Sequence, residues 1–191
     1  MWEVTINALI ANELKECKTQ ADRNSSVGCV DKDYHDFSSC RGCLFMETPY
    51  RNGKKNGVER SYYADGNLMM ETPYQNGKRN GIEKTYNTQG KLSSVRPVKE
   101  DKVDGVEKMY HDNGMLLMEI LWRNGKKNGV EKWYYQDGSP NMDITYENSK
   151  IIGIKCYNGR VFSNAHIHNL NLTYDYGSNL CEQSGIYARE F

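Results

Sequence analysis

Cys40-Arg-Gly-Cys43 and His166-Ile-His168 have the spacings that redox and metal chemistry use in this 191-residue chain. A Cys-x-x-Cys pair is activated at a helix N-terminus, but the residues that follow, "LFMETPY", read as a strand. Two imidazoles on one strand face need two further ligands to hold zinc. Nothing in the sequence brings the histidines to the cysteines, so no metal or other cofactor is expected. Glu59, Glu83, Glu107 and Glu131 form a carboxylate column, with Arg60, Lys84, Lys108 and Lys132 beside it. Neighbours along a strand point to opposite faces, so these do not converge as acid and base on a substrate. The chain has no nucleophile elbow, Walker loop or dinucleotide fingerprint. It reads as a non-enzyme.

The columns that carry these residues come from a fixed period. "NGKKNGVE" stands at 52–59 and again at 124–131, with "NGKRNGIE" at 76–83 and "EDKVDGVE" at 100–107, 24 residues apart each time. Gly57, Gly81, Gly105, Gly129 and Gly153 keep that interval, as do Tyr62, Tyr86, Tyr110 and Tyr134. A further column holds Tyr50, Tyr74, Val98, Trp122 and Tyr146. Such a period signals an array of identical supersecondary units.

Each unit reads as two strands. The first is "VERSYY", "IEKTYN", "VEKMYH" or "VEKWYY", followed by Asp65-Gly66, Gln89-Gly90, Asn113-Gly114 or Asp137-Gly138 as a tight turn with positive φ. In the second, Leu68, Met70, Thr72 and Tyr74 share a face, as do Leu116, Met118, Ile120 and Trp122. The "NGKKNG" phrase then turns the chain back, its Asn and Gly chosen for tolerance of positive φ. Pro49, Pro73 and Pro97 recur at one site, where the missing amide shortens or bulges the ladder. The expected fold is mostly β: an antiparallel meander of β-hairpin repeats, forming an elongated twisted sheet or solenoid, with a short N-terminal helix from about Thr5 to Lys18.

The pattern Gly-x-Glu-Lys-x-Tyr-x-x-x-Gly-x-Leu, followed by Glu-x-x-Tyr-x-Asn-Gly-Lys, resembles the bacterial variant of the MORN repeat over about residues 42–158. The resemblance implies β-hairpin arrays, protein scaffolding or lipid binding, and, among bacterial members, antitoxin-like components. The third unit, "VRPVKEDKVDG", departs from the pattern: it lacks the Asn-Gly turn and the column aromatic.

Composition limits the partners. Lys plus Arg is 25 and Asp plus Glu is 25, so no overall field attracts nucleic acid, and a membrane surface is not favoured. No apolar run is long enough for a spanning helix, and the N-terminal stretch does not read as a retained signal peptide. Six cysteines sit in a cap at 1–43 and another at 159–191 with its approach, flanking repeats at 44–158. That placement suits disulfides and leans to a periplasmic or secreted location, with a cytoplasmic one as the alternative. A protein partner is expected on Tyr63, Met109, Trp133 and Tyr135, which point away from the tyrosine columns. The competing expectation is an anion or lipid surface on Lys54, Lys55, Lys78, Arg79, Lys126 and Lys127.

Overall fold

The computed structural model describes residues 14–34, 42–160, 162 and 181. The chain divides into two compact units, Met1–Lys102 and Val103–Phe191. The first contains helix α1 (Gln20–Asn24) and strands β1 (Cys29–Tyr34), β2 (Leu44–Arg51), β3 (Lys54–Lys55), β4 (Gly57–Tyr62), β5 (Leu68–Gln75), β6 (Lys78–Arg79), β7 (Gly81–Tyr86) and β8 (Leu92–Lys99). Strand β9 (Lys102–Val103) stands at the boundary. The second contains β10 (Gly105–Tyr110), β11 (Leu116–Arg123), β12 (Lys126–Tyr134), β13 (Pro140–Glu147) and β14 (Lys150–Cys156). Each unit is an antiparallel meander, in the order β1-β2-β4-β5-β7-β8 in the first and β10-β11-β12-β13-β14 in the second.

The long hairpins repeat one geometry. Gly57 pairs with Tyr74, Glu59 with Thr72 and Ser61 with Met70, after which the register slips and Tyr62 faces Leu68. The same slip occurs at Tyr86, Tyr110 and Tyr134. Leu68 and Leu116 therefore leave the simple alternation that the sequence implies. At the closed end, Gly66 N donates to Tyr63 O (2.9 Å) and Tyr63 N to Asn67 O (2.8 Å). Gly66 (φ 86) has positive φ and Asp65 does not. The loop is a three-residue one with a glycine bulge, and not a turn in which both residues are left-handed.

At the other end Asn52-Gly53 and its equivalents form the two-residue turn. Here both residues are left-handed, as at Asn76 (φ 53) and Gly77 (φ 88). The turn after β8 uses Glu100 (φ 49) and Asp101 (φ 67) in the same conformation, although neither favours it. Hydrogen bonds hold it: Asp101 N donates to Arg79 O (3.0 Å), and Asp101 Oδ1 accepts from Arg79 N (2.9 Å). The third unit thus departs in sequence but keeps the turn and the register.

The prolines act as their chemistry requires. Between β2 and β4 the ladder holds only Met46↔Ser61 and Glu47↔Arg60, while β3 pairs separately with Tyr50 and Arg51. Asn56 interrupts the strand and donates its N–H to Pro49 O (2.9 Å). Leu121 occupies the corresponding place in the second unit, and there β12 runs unbroken from Lys126 to Tyr134. Gly57 and Gly81 also answer to the prolines. A Cβ on either would lie within 3 Å of Pro49 Cγ or Pro73 Cγ, and both glycines have positive φ.

The N-terminal cap differs from expectation where it is described. Residues 14–18 are not helical; Cys17 N donates to Val30 O (2.7 Å) and Val30 N to Lys15 O (2.9 Å), making a parallel bridge to β1. Among the described residues the helix is α1, opened by a capping box between Thr19 and Asp22. Residues 5–13 and His166-Ile-His168 lie outside the described residues, as does Cys40. Cys17 is bonded to Cys29, and Cys156 to Cys181. Cys43 is also disulfide-bonded, and the described residues contain no free cysteine.

Candidate functional site

Register assigns the side chains to two faces. Tyr74, Thr72, Glu59 and Gly57 share one, which we call the carboxylate face; Val58, Pro73, Arg60 and Glu71 share the other.

On the carboxylate face the repeats around Glu59 and Glu131 build an ion pair against a ring, and the repeat around Glu83 builds the ion pair with Val98 in the ring's column. Lys55 Nζ donates to Glu59 Oε2 and lies 4.8 Å from the Tyr74 ring centre. Arg79 Nη1 donates to Glu83 Oε1 at 3.2 Å. Lys127 Nζ donates to Glu131 Oε2 at 2.7 Å and sits 4.8 Å from the Tyr146 ring and 5.8 Å from that of Trp122. Burial lowers the Lys55 pKa, but the Glu59 hydrogen bond and charge outweigh it and raise the value overall. Glu83 and Glu131 are buried and Glu59 is half-buried, and all three accept hydrogen bonds, so the column is internal scaffolding.

The first unit contains a further copy hidden by its spacing. Cys29 faces Tyr50 and Asp33 faces Met46, as Gly57 and Ser61 face Tyr74 and Met70. Asp31 therefore takes the place of Glu59. Its cation is Arg23 of α1, at 2.5 Å, and this guanidinium lies 5.7 Å from the Tyr50 ring. Gly53 N donates to Arg23 O (2.8 Å) as Gly77 N donates to Lys55 O (2.8 Å). Helix α1 thus stands in for the arm of a preceding repeat.

On the opposite face, tyrosines donate to carboxylates of the preceding hairpin: Tyr62 to Glu47 (2.8 Å), Tyr86 to Glu71 (3.1 Å) and Tyr134 to Glu119 (3.4 Å). Burial, then the Glu47 hydrogen bond and charge, push the Tyr62 phenol up to about 12. Burial and a neighbouring carboxylate also raise Tyr74, Tyr86, Tyr134 and Tyr146. A raised phenol pKa means that the folded state favours the neutral form. The contribution is whole below the unfolded value near 10 and is lost as pH rises through the folded value. Alkaline unfolding is expected between pH 10 and about 12. The last phenolate absorbance should rise together with loss of the strand circular dichroism signal; ionisation of all 14 tyrosines near pH 10 with the strands intact would contradict this.

The four rings and thioethers expected to face a partner are placed differently. Trp133 is 3% exposed on the carboxylate face, within a core of Met118, Ile120, Met142 and Ile144. Met109 packs against that core. Tyr63 belongs to a closed-end loop and donates its hydroxyl to Tyr86 O at 2.7 Å, tying one hairpin to the next. Tyr135 opens the equivalent loop and is half-buried. The reason is that the carboxylate face of the second unit is covered. Cys181, joined to Cys156, is 1% exposed in that core, and Phe162 packs on it.

The turn cations are also partly spent. Lys55, Arg79 and Lys127 turn onto the carboxylate face, and Lys78 bonds Glu100 at 2.6 Å; Lys54 and Lys126 are exposed. Among the described residues no group of His, Cys, Asp and Glu could hold a metal.

The exposed apolar residues are ones the sequence reading passed over. Ile82 in the first unit is 46% exposed, and Val106 and Val130 in the second are 43% and 40% exposed. They occupy one position of the repeat, opposite Pro97, Leu121 and Thr145. Their signal was the 24-residue column next to the glycines. The first unit also has a concavity of about 420 Å³ lined by Tyr50 and Tyr74.

The family described as MORN repeat variant matches residues 55–76, 103–124 and 127–148. The chain carries MORN repeats. Each match begins near a turn and closes at the next, so the family unit is the hairpin described above. The departing third unit, 79–100, is not matched. MORN repeats are binding modules. Comparison with curated proteins gives no match. Two crystal structures of TarM, one of them of the S. aureus protein, are similar at 9% identity, with TM-scores of 0.36 and 0.35 over 50% and 51% of this chain. The chain spans about a fifth of TarM, covering 19% of it. At that score the likeness carries no argument.

Proposed function

We propose that this MORN protein is a non-enzymatic protein-binding module, a scaffold or an antitoxin-like component, working in an oxidising compartment. The supporting observation is the recurrence of exposed β-branched side chains, Ile82, Val106 and Val130, at one repeat position. Branched side chains on a strand lose little freedom when covered, so they favour a stable contact. Beside them within each unit stands a polar pair already bonded to itself, Arg60 with Glu71 in the first and Lys108 with Glu119 in the second. The disulfides support the choice of compartment.

The anion-binding alternative draws on six turn cations, four of which already bond carboxylates. The two readings differ in salt dependence. A partner captured from the native source should remain bound at about 1 M salt, where the screening length is about 3 Å. It should be lost from Ile82→Lys and Val130→Lys variants that retain the wild-type circular dichroism spectrum. Release by salt, with capture unchanged in both variants, would defeat the proposal.

A further inference from the structure

Within the first unit, the concavity beside Tyr50 and Tyr74 runs across the strands. Its wall begins at Leu14 and Val27, passes Pro49 and Tyr50, and continues over Asn56 to Tyr74 and Gln75. Met46 and Met70 both pair with Ser61, so Tyr50 and Tyr74, each four residues further on, stand level with one another. Strands β2 and β5 are separated by β4, and two strand spacings are about 10 Å. Two like subsites therefore lie about 10 Å apart, each with a tyrosine and with an amide or guanidinium close by.

Both rings are held in place before anything binds. Arg23 is 5.7 Å from the centre of Tyr50 and is itself bonded to Asp31; Lys55 is 4.8 Å from that of Tyr74 and is bonded to Glu59. The polar lining is donor-rich. The amide oxygen of Asn56 accepts from Asn76 N at 3.4 Å, and that of Gln75 accepts from Asn80 Nδ2 at 3.2 Å. This leaves the Asn56 and Gln75 N–H groups, the Tyr50 hydroxyl and exposed Arg51 as donors to meet a ligand, with the Asn80 amide oxygen as an acceptor, and among the described residues no carboxylate lines the concavity.

A matching ligand repeats every 10 Å, presents acceptors, needs few acceptors in return, and lays apolar rings on tyrosine. A polyproline II peptide does this: three residues per turn at about 3.1 Å each give about 9.3 Å, its carbonyls are unpaired, and its prolines have no N–H. A saccharide would bring many hydroxyl donors to a wall whose described residues offer amide oxygens but no carboxylate, and a phosphate would gain little from two tyrosines and Val27. We propose that this groove binds a proline-rich segment of a partner protein in the polyproline II conformation, one proline turn on each tyrosine. The proposal rests on the protein-binding reading but uses a different surface.

The test uses the full, disulfide-intact chain and fluorescein-labelled decaproline, with a glycine-serine peptide of equal length, chitotetraose and anionic vesicles as competitors. Saturable decaproline binding is expected, displaced by none of the competitors. Tyr50→Ala should weaken it about tenfold, the cost of losing one aromatic anchor. Val27 is 71% exposed, so Val27→Glu keeps the fold; it sets a carboxylate against the peptide carbonyls and should weaken binding to a similar extent. Ile82→Lys should leave decaproline binding unchanged, which separates this result from the partner-capture experiment. Absence of decaproline binding, equal affinity in Val27→Glu, or displacement by chitotetraose or vesicles would overturn the proposal.

Discussion

Trp133→Ala is expected to lower the stability of the second unit by about 3–5 kcal/mol, the range for deleting a buried aromatic side chain. The indole lies between strands whose inner residues, Ile120, Met142 and Ile144, are almost wholly enclosed. Truncation opens a void in a core only one sheet deep, with few neighbours able to move in and fill it. It also removes the Nε1 donor that holds Glu131 Oε1 at 2.6 Å, so the remaining carboxylate must be satisfied by Lys127 and Tyr146 alone. Trp133→Phe retains most of the volume and loses the hydrogen bond, and should cost about 1–3 kcal/mol. Denaturant midpoints of the two variants would separate packing from hydrogen bonding. Unfolding of Trp133→Ala at the wild-type midpoint would show that the ring is not core.

That burial marks the boundary of what the sequence makes legible. The 24-residue columns were enough to place the hairpins and both kinds of turn, and the recurrent prolines foretold a broken ladder. The contrast between Pro73 and Leu121 bears this out, since only the former interrupts the strand beside it. Trp133 could not be placed by period, because alternation separates two faces without saying which is covered. The cover comes through Cys156–Cys181, a link of sequence separation 25 between residues outside the columns. Strand β1 was missed for a related reason: Tyr34 precedes Tyr62 by 28 residues, so a search in steps of 24 falls out of phase there. Glu100-Asp101 was hard to read because its left-handed backbone is upheld by contacts from Arg79 and not by its own preferences. The groove was half visible. Tyr50 and Tyr74 form an obvious column, whereas Leu14 and Val27 reach it through the N-terminal bridge to β1 and the Cys17–Cys29 bond, which have no periodic signature.

Lys127→Met is expected to cost about 3–5 kcal/mol, although methionine keeps the length and apolar stem of lysine. The substitution takes away the cation and leaves Glu131, 2% exposed, with only the Trp133 N–H and the Tyr146 hydroxyl to stabilise its charge. A buried carboxylate that loses its counter-ion costs far more than the pair contributed, because its lost hydration is no longer compensated. The second substitution tests this reasoning. Lys127→Met combined with Glu131→Gln removes the charge as well as its partner, and Gln can still accept from Trp133 and Tyr146. The double variant should recover most of the loss, giving a coupling well above the roughly 0–1 kcal/mol of an exposed pair. Additive losses in the four-member cycle, or a single-variant cost under about 1 kcal/mol, would mean that the carboxylate is effectively solvated. The cation column would then be decoration on the turns, and the ring, cation and carboxylate around Glu59 and Glu131 would no longer be the unit that fixes one hairpin against the next.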